Sequence, residues 1–400
     1  MALDEQSSPI ERLPLELLQM ILSALPDVVL LQTAVLSCPL FYRSFLEAES
    51  AIVTQVLFNQ LDMTLLPEAI ATAESACLRP HDTDPKSREA IIEFVTRNLH
   101  QRSTLPGSWS LTKALHIGRF HFHVQAFTDM FINTTFARIP RVQSDSVATR
   151  TATRAATRQE RKRVECALYR FEIYCNLFRE SRNAESPIYE EQRQLFFQNF
   201  APWENEQLGC IHDFLFEVIA PIFNDILEGN SFWKEIPVRR ATDVGDHHVQ
   251  HIMSFGLKKL HDITESKSFE ETCRLLTQNV LPPISLSFLY EGFHYAKTSN
   301  SGVSLNDSLT PEDKARFIRS PFFADPDSGP EDVWRWAHQD EICWYWVYTE
   351  DRRDLRQWGY VMWDKSRLEA VGIFQEPWTD EVDSSNSSLE SPEAEPQPEY

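Results

Sequence analysis

The chain has 400 residues, of which 42% are hydrophobic and 12% aromatic, and its formal net charge is −21. This length allows a large core without disulfides or metals, and the aromatic content excludes global disorder. Only 11 residues are glycine, so the tight turns and phosphate-binding loops of sheet-based folds are poorly supplied. We therefore expect an all-α protein, and the negative charge argues against nucleic acid or an anionic membrane as its partner.

The signals for cellular location are those of an intracellular protein. The N-terminus, MALDEQSSPIERLP, is acidic where a secretory signal would be basic and then apolar, and no uncharged apolar run reaches about 18 residues. The seven cysteines form no CxxC pair, and we interpret them as reduced thiols. They are Cys38, Cys77, Cys166, Cys175, Cys210, Cys273 and Cys343. The sequence thus predicts a cytoplasmic or nuclear protein with no membrane span.

The first helical segments carry more apolar surface than a simple hairpin can bury. In LELLQMILSAL, residues 15–25, only Glu16, Gln19 and Ser23 are polar, and on a helical wheel they occupy an arc of about 60 degrees. The apolar residues spread over about 220 degrees, whereas a surface helix needs a stripe of roughly 100 degrees. The next segment, VVLLQTAVLSC, can cover one side. The apolar side of residues 15–25 that remains uncovered indicates a contact with a partner protein or with another helix of this chain.

This region resembles the F-box family, in which a Leu-Pro pair, an acidic residue, helical apolar positions and a second Leu-Pro pair precede a leucine-rich helix. The string is LPLELLQMILSALPDVVLLQTAVLSCPLFYRSF. The matching positions are Leu13, Pro14, Glu16, Leu17, Ile21, Leu22, Leu25, Pro26, Leu30, Leu31, Val35, Leu36 and Cys38. The sequence departs from the family at Pro39, Leu40 and Phe41, where basic residues and a tryptophan are often found.

The resemblance implies a small helical module that binds the Skp-type adaptor of a cullin-based SCF ubiquitin ligase. The residues that it implies for adaptor binding are Leu13, Pro14, Leu17, Ile21, Leu22, Leu25, Pro26, Leu30, Leu31 and Val35. It covers about 45 residues, and an ordinary buried N-terminal hairpin is the alternative. A second string, LRQWGYVMWDKSRLEAVG, looks like the closing segment of many F-box-like proteins of filamentous fungi.

The rest of the chain divides by composition. We expect an F-box-like module over residues 9–58, a helical region over 59–137, a basic linker or exposed helix over 138–163, an irregular helical domain over 164–378 and a disordered acidic tail over 379–400. The basic segment holds eight Lys and Arg against two acids. Within it Arg150, Arg154, Arg158 and Lys162 recur every four residues. A solvated helix face is expected there, with an acidic partner, nucleic acid or nuclear import as alternatives.

Several segments further along predict helices. The apolar patterns are VECALYRFEIYCNLF, LFFQNF, IHDFLFEVIAPIFNDIL, HIMSFGLKKL and ETCRLLTQNVLPPISLSFLY. Thr310-Pro311-Glu312-Asp313 and Gly329-Pro330-Glu331-Asp332 each place proline and carboxylates where a helix begins.

Two clusters contain residue types that can serve either in binding or in a structural role. Seven tryptophans are crowded among arginines between residues 331 and 378, and we expect a well-packed core there rather than an interface. They are Trp334, Trp336, Trp344, Trp346, Trp358, Trp363 and Trp378, and the arginines are Arg335, Arg352, Arg353 and Arg356. The histidines do not have the context of zinc ligands, so no metal or cofactor is predicted. They are His247, His248 and His251, close to Asp243 and Asp246, and His116, His121 and His123.

The sequence thus predicts a non-enzymatic substrate-receptor subunit. Its module would bind a Skp-type adaptor, and through it a cullin, while the other helices bind an unknown protein substrate. A helical scaffold with no ubiquitin role is the first alternative, and it would use the module only for packing. An enzyme of unrecognised class is the second, and it predicts a deep pocket with converging ionisable groups.

Overall fold

The computed structural model describes residues 9–78, 85–100, 109–140, 155–179, 190–229, 243–277, 288–296, 325–338 and 347–375. Within these ranges the chain forms 17 α-helices and no β-strand, which confirms the predicted all-α class. The helices are α1 (Leu15–Ser23), α2 (Val28–Ser37), α3 (Pro39–Glu47), α4 (Glu49–Gln60), α5 (Leu66–Ser75), α6 (Pro85–Phe94), α7 (Leu111–Phe136), α8 (Arg158–Phe178), α9 (Glu190–Phe197), α10 (Pro202–Gly229), α11 (Asp243–Met253), α12 (Leu257–Thr264), α13 (Phe269–Thr277), α14 (Phe288–Gly292), α15 (Gly329–Ala337), α16 (Arg353–Gln357) and α17 (Lys365–Ala370). None of these described helices is long and apolar enough to cross a bilayer.

Prolines and side-chain caps set the ends of the first helices. Pro14 precedes α1, and the Asp27 side chain after Pro26 accepts a hydrogen bond of 2.8 Å from the Leu30 N–H at the start of α2. Pro39 occupies the first turn of α3, where its missing N–H costs nothing. Helices α1 to α4 follow one another with short connections, and they form the N-terminal helical module.

The module is fixed to the rest of the chain through α7. Val28, Leu31 and Val35 of α2 are buried in the core. The Gln60 carboxamide at the end of α4 accepts from the Val28 N–H (3.3 Å) and donates to the Gly118 carbonyl of α7 (3.0 Å). A Cβ atom at Gly118 would overlap a Val28 methyl group, so glycine is what permits this close approach. The module and α7 therefore share one packed interface.

Helix α8 is the centre of the fold, since 17 of its 21 residues are buried and it contacts α5, α7 and α10. It begins with a capping box, in which the Thr157 hydroxyl accepts from the Glu160 N–H and the Glu160 carboxylate accepts from the Thr157 N–H. Polar side chains buried on such a helix need partners. Arg170 is paired with Glu68 (2.9 Å) and Glu204 (2.8 Å), and all three are almost fully buried.

The N-terminal end of α8 binds the C-terminal part of the described chain. Arg163 donates to Asp325 (2.6 Å) and Asp364 (2.8 Å) and to the Met362 carbonyl (3.0 Å). Arg367 donates to Glu160 at 2.7 and 2.8 Å. Two buried guanidinium groups therefore link residues that lie about two hundred positions apart in the sequence.

Several expected elements differ from the structure or lie outside the described residues. The segment HIMSFGLKKL is divided between α11 and α12 at Gly256, whose φ of +87° only glycine adopts freely. The predicted linker or exposed helix over 138–163 is wrong at its end, because α8 begins at Arg158 and Arg163 is buried. The helix start at Gly329 is observed as α15. The start at Thr310 and the tail over 379–400 lie outside the described residues.

Candidate functional site

The outward face of α1 is apolar. Leu18 and Leu22 point into the core, while Leu17, Met20 and Ile21 are exposed on the opposite side of the helix. On a helical wheel these three side chains fall within an arc of about 100 degrees. Met20 keeps 66% of its surface in solvent. An ordinary surface helix presents polar residues on this side, so α1 lacks a partner on one of its two apolar faces.

Helix α2 repeats this arrangement. Its inward face is buried, and Val29, Leu30 and Leu36 are exposed, with Leu36 at 71%. Two hydroxyl groups share the outward face, but Thr33 donates to the Val29 carbonyl (2.9 Å) and Ser37 to the Ala34 carbonyl (2.7 Å). Because these donors are satisfied within the helix, the face can be covered by apolar groups at little cost.

We call the exposed apolar residues of the module the N-terminal apolar surface. Among the described residues, 13 large hydrophobic side chains are exposed, and nine of them belong to this surface. They are Ile10, Leu17, Met20, Ile21, Val29, Leu30, Leu36, Tyr42 and Leu46. Isolated exposed apolar residues are normal on a protein surface, but such a concentration within 37 positions is typical of surfaces that bind another molecule.

The central part of the N-terminal apolar surface is almost free of charge. From Leu17 to Tyr42 the only ionisable side chain of the Asp, Glu, Lys, Arg or His type is Asp27, and its carboxylate caps α2. The centre of a protein interface is typically depleted of charged residues in the same way. A partner for this surface must itself be largely apolar.

The structure exposes some of the predicted adaptor-binding residues and buries others. Leu17, Ile21, Leu30, Pro14 and Pro26 are exposed, and Leu13 and Leu25 are half-buried. The prediction is wrong for Leu22, Leu31 and Val35, whose side chains are at most 2% exposed in the core. Their helical phase turns them toward the chain's own helices, so they stabilise the module and do not contact a partner.

Six residues of the surface are not among the predicted adaptor-binding residues: Ile10, Met20, Val29, Leu36, Tyr42 and Leu46. A helical wheel of α2 alone could have placed Val29 and Leu36 opposite the buried Val28, Leu31 and Val35. Tyr42 and Leu46 lie on α3, outside the two apolar segments of residues 15–25 and 28–38.

The basic segment pairs with acids of this chain wherever the structure describes its arginines. Arg138 lies 2.6 Å from Glu217, Arg158 2.8 Å from Asp62, and Arg161 2.7 Å from Asp129. Arg163 is part of the buried network at the start of α8. Lys162 is buried, so the expected solvated face does not extend to it. Arg150 and Arg154 lie outside the described residues.

A second cluster of ionisable groups surrounds Tyr348. Its hydroxyl donates to Asp213 (2.5 Å) and lies 2.9 Å from His212 Nδ1, and Arg356 donates to Asp213 (2.7 Å). Burial alone would raise the pKa of Asp213, but the hydrogen bonds and the Arg356 charge lower it to about 2. The Tyr348 ring lies between Phe293 (4.3 Å) and the Arg356 guanidinium (4.1 Å). The polar groups of Tyr348, Asp213 and Arg356 form hydrogen bonds with one another, as is typical of a cluster with a structural role.

Tryptophans and histidines in the described ranges have structural roles. Trp334, Trp358 and Trp363 are buried, as expected for a core. His248 stacks on Phe223, and burial lowers the pKa of His121 to about 4, so this ring is neutral at pH 7. No group of three or more potential ligands in the described part of the chain could hold a metal ion. Trp344, Trp346 and Trp378 lie outside the described residues.

Glu165 on α8 gives a testable dependence of stability on pH. Burial, assisted by Asp62 and Asp129 and opposed by Arg161, raises its pKa to about 7. The contribution of Glu165 to the free energy of unfolding is therefore greatest below pH 4.5. This contribution is lost as the pH rises toward 7, because the carboxyl group then ionises. We expect Glu165→Gln to be more stable than the native chain at pH 8, by up to about 3 kcal/mol, and similar at pH 5. Urea denaturation at both pH values measures this, with Glu16→Gln at an exposed site as the control. A constant difference between the two pH values would contradict it.

No family model matches this chain, and no match is found among curated proteins or among solved structures.

Proposed function

We propose that this chain is an F-box-like substrate-receptor subunit whose N-terminal apolar surface binds a Skp-type adaptor. The observation that carries the proposal is the outward face of α1, where Leu17, Met20 and Ile21 are exposed. The Leu-Pro motif of the F-box resemblance falls on α1 and α2, the two helices with this unpartnered apolar face. An ordinary buried hairpin would leave no such face.

The size of the surface is consistent with a stable complex. Nine large side chains, each roughly half exposed, would contribute on the order of 10 kcal/mol if a partner covered them. Association costs of similar size reduce this gross value, and the net affinity then depends on how well the partner fits. Micromolar or tighter binding is thus attainable without any catalytic group.

In this proposal the helices outside the module present a protein substrate to the ligase. The adaptor connects the chain to a cullin, and ubiquitin transfer takes place on other subunits, in the cytoplasm or the nucleus. The receptor contributes proximity, because it holds an acceptor lysine at high effective concentration near the transfer enzyme. A helical scaffold with no ubiquitin role would use the same surface for another apolar protein.

Co-purification with a fungal Skp-type adaptor tests the proposal. In Leu17→Asp/Ile21→Asp, two unpaired charges would enter an apolar interface, so we expect affinity to fall more than about 100-fold. Both side chains are exposed, so the melting temperature should change by less than about 2 °C. Met63→Asp/Phe269→Asp, at two exposed apolar sites elsewhere, is the matched control and should bind normally. If none of the three proteins binds, the chain is not an adaptor-binding receptor. If all three bind equally, the N-terminal apolar surface is not where the adaptor binds, and the proposal fails at its site.

A further inference from the structure

A single arginine lies beside the N-terminal apolar surface. Arg119 of α7 is exposed, and its Nη2 donates a hydrogen bond of 3.0 Å to the Gln32 carboxamide of α2. On α2, Gln32 is three residues after Val29 and four before Leu36, so it adjoins both of these exposed side chains along the helix. The guanidinium group is thus held at the edge of the apolar face of α2.

This arginine has no carboxylate partner within the described residues. The arginines of the basic segment, in contrast, are each paired with an acid there. The nearest charged group on α2 is Asp27, one and a half turns earlier, and its carboxylate accepts from the Leu30 N–H. The ionisable residues of α7 on either side of Arg119 are Lys113, His116, His121 and His123, and none of them is acidic. The edge of the surface therefore carries an uncompensated positive charge, in a chain whose net charge is −21.

We propose that Arg119, oriented by Gln32, is the polar anchor of the adaptor interface and binds a carboxylate that the adaptor presents beside Leu36. This inference rests on the proposed function. Protein interfaces combine an apolar centre with polar contacts at the rim, and the planar guanidinium fork matches a carboxylate in a bidentate arrangement. The hydrogen bond to Gln32 restricts the side chain before binding, which lowers the entropy cost of forming the new pair.

The anchor also explains how a surface of similar apolar side chains can hold its partner in one position along the helices. Leu17, Ile21, Leu30 and Leu36 offer similar apolar side chains, so a partner shifted by one helical turn would bury nearly as much area. A single charged pair at the rim penalises the shifted arrangements, because they leave the adaptor carboxylate without its cation. Arg119 therefore determines specificity, and the apolar residues supply most of the affinity.

The test compares adaptor affinity across variants of the full chain by titration calorimetry at 50 and 500 mM salt. We expect Arg119→Glu to bind at least about 30-fold more weakly at low salt, because two carboxylates would then face each other. Arg119→Gln should lose about 10-fold and most of the salt dependence, and Arg119→Lys should lie between this variant and the native chain. Lys258→Glu makes the same charge change at an exposed position of α12, outside the N-terminal helical module, and should bind like the native chain.

The outcomes separate this inference from the proposed function. If the native chain does not bind the adaptor, both fail. If it binds, and Leu17→Asp/Ile21→Asp abolishes binding while Arg119→Glu stays within twofold of the native value, the surface is correct and the anchor is wrong. Equal weakening by Arg119→Glu and Lys258→Glu would likewise reject the anchor, because net charge alone would then explain the effect.

Discussion

Arg170→Met should destabilise the protein by about 3–5 kcal/mol, which is a large part of the stability of a typical domain. Arg170 is 1% exposed and neutralises Glu68 and Glu204, which are just as deeply buried. Methionine fills a similar volume but leaves two carboxylates in the core without their cation. Urea denaturation at pH 7 measures the change. Arg335→Met, which breaks the half-exposed ion pair with Glu331 on α15, is the control and should cost less than about 1 kcal/mol.

The same variant should recover part of its stability in acid. Burial already raises the pKa of Glu68 in the native chain, against the attraction of Arg170. Without the arginine that pKa rises further, so the folded variant takes up protons more readily than the unfolded chain does. Stability relative to the native chain then increases as the pH falls from 7 to 5. If the difference in unfolding free energy between the variant and the native chain stays constant over this pH range, lost packing rather than uncompensated charge causes the destabilisation.

Gly118→Val should cost about 2–4 kcal/mol and weaken adaptor binding at the same time. The new side chain would overlap a Val28 methyl group, and its Cβ would lie 2.6 Å from the Gln60 carboxamide oxygen. Overpacking of this kind costs typically 1–3 kcal/mol, and the displaced Gln60 would lose its hydrogen bonds to Val28 and Gly118. Because α2 must move away from α7, the exposed face of α2 moves with it.

Thermal unfolding and adaptor titration of Gly118→Val measure both effects. Gln125→Val places a β-branched apolar residue at an exposed position of the same helix, so it controls for helix propensity. We expect this control to be close to the native chain in both measurements. A Gly118→Val protein that loses stability but binds the adaptor normally would show that the position of α2 is not important for binding.

The fold class could be predicted because apolar periodicity is a local property. The pattern of residues 15–25 predicts α1, and Gly329 with Pro330 predicts the start of α15. Periodicity does not reveal which side of a helix the chain itself covers. Ile21 and Leu22 are adjacent, similar in size and both part of the family pattern, yet one is exposed and the other is in the core. That difference depends on where α3 and α4 lie.

The polar contacts between helices that are distant in the sequence could not be predicted, for a related reason. Arg163 belongs to a run of basic residues that favours a solvated face, and nothing near it in the sequence identifies Asp325 or Asp364 as its partners. Gln32 and Arg119 are separated by 87 positions. Pairings of this kind are set by how the helices pack, and only a three-dimensional structure shows them.

The pairing of Arg163 and Glu160 with residues near the end of the described chain has a consequence during synthesis. The ribosome delivers α8 long before Asp364 and Arg367 emerge, so its first turn carries unmatched charges while most of the polypeptide is already outside. A product that ends between residues 325 and 364 would keep the pair of Arg163 and Asp325 but lack Arg367, so the buried Glu160 carboxylate would have lost its cation. We expect such fragments to be retained by chaperones and degraded, so a premature stop codon late in the reading frame would be as damaging as an early one.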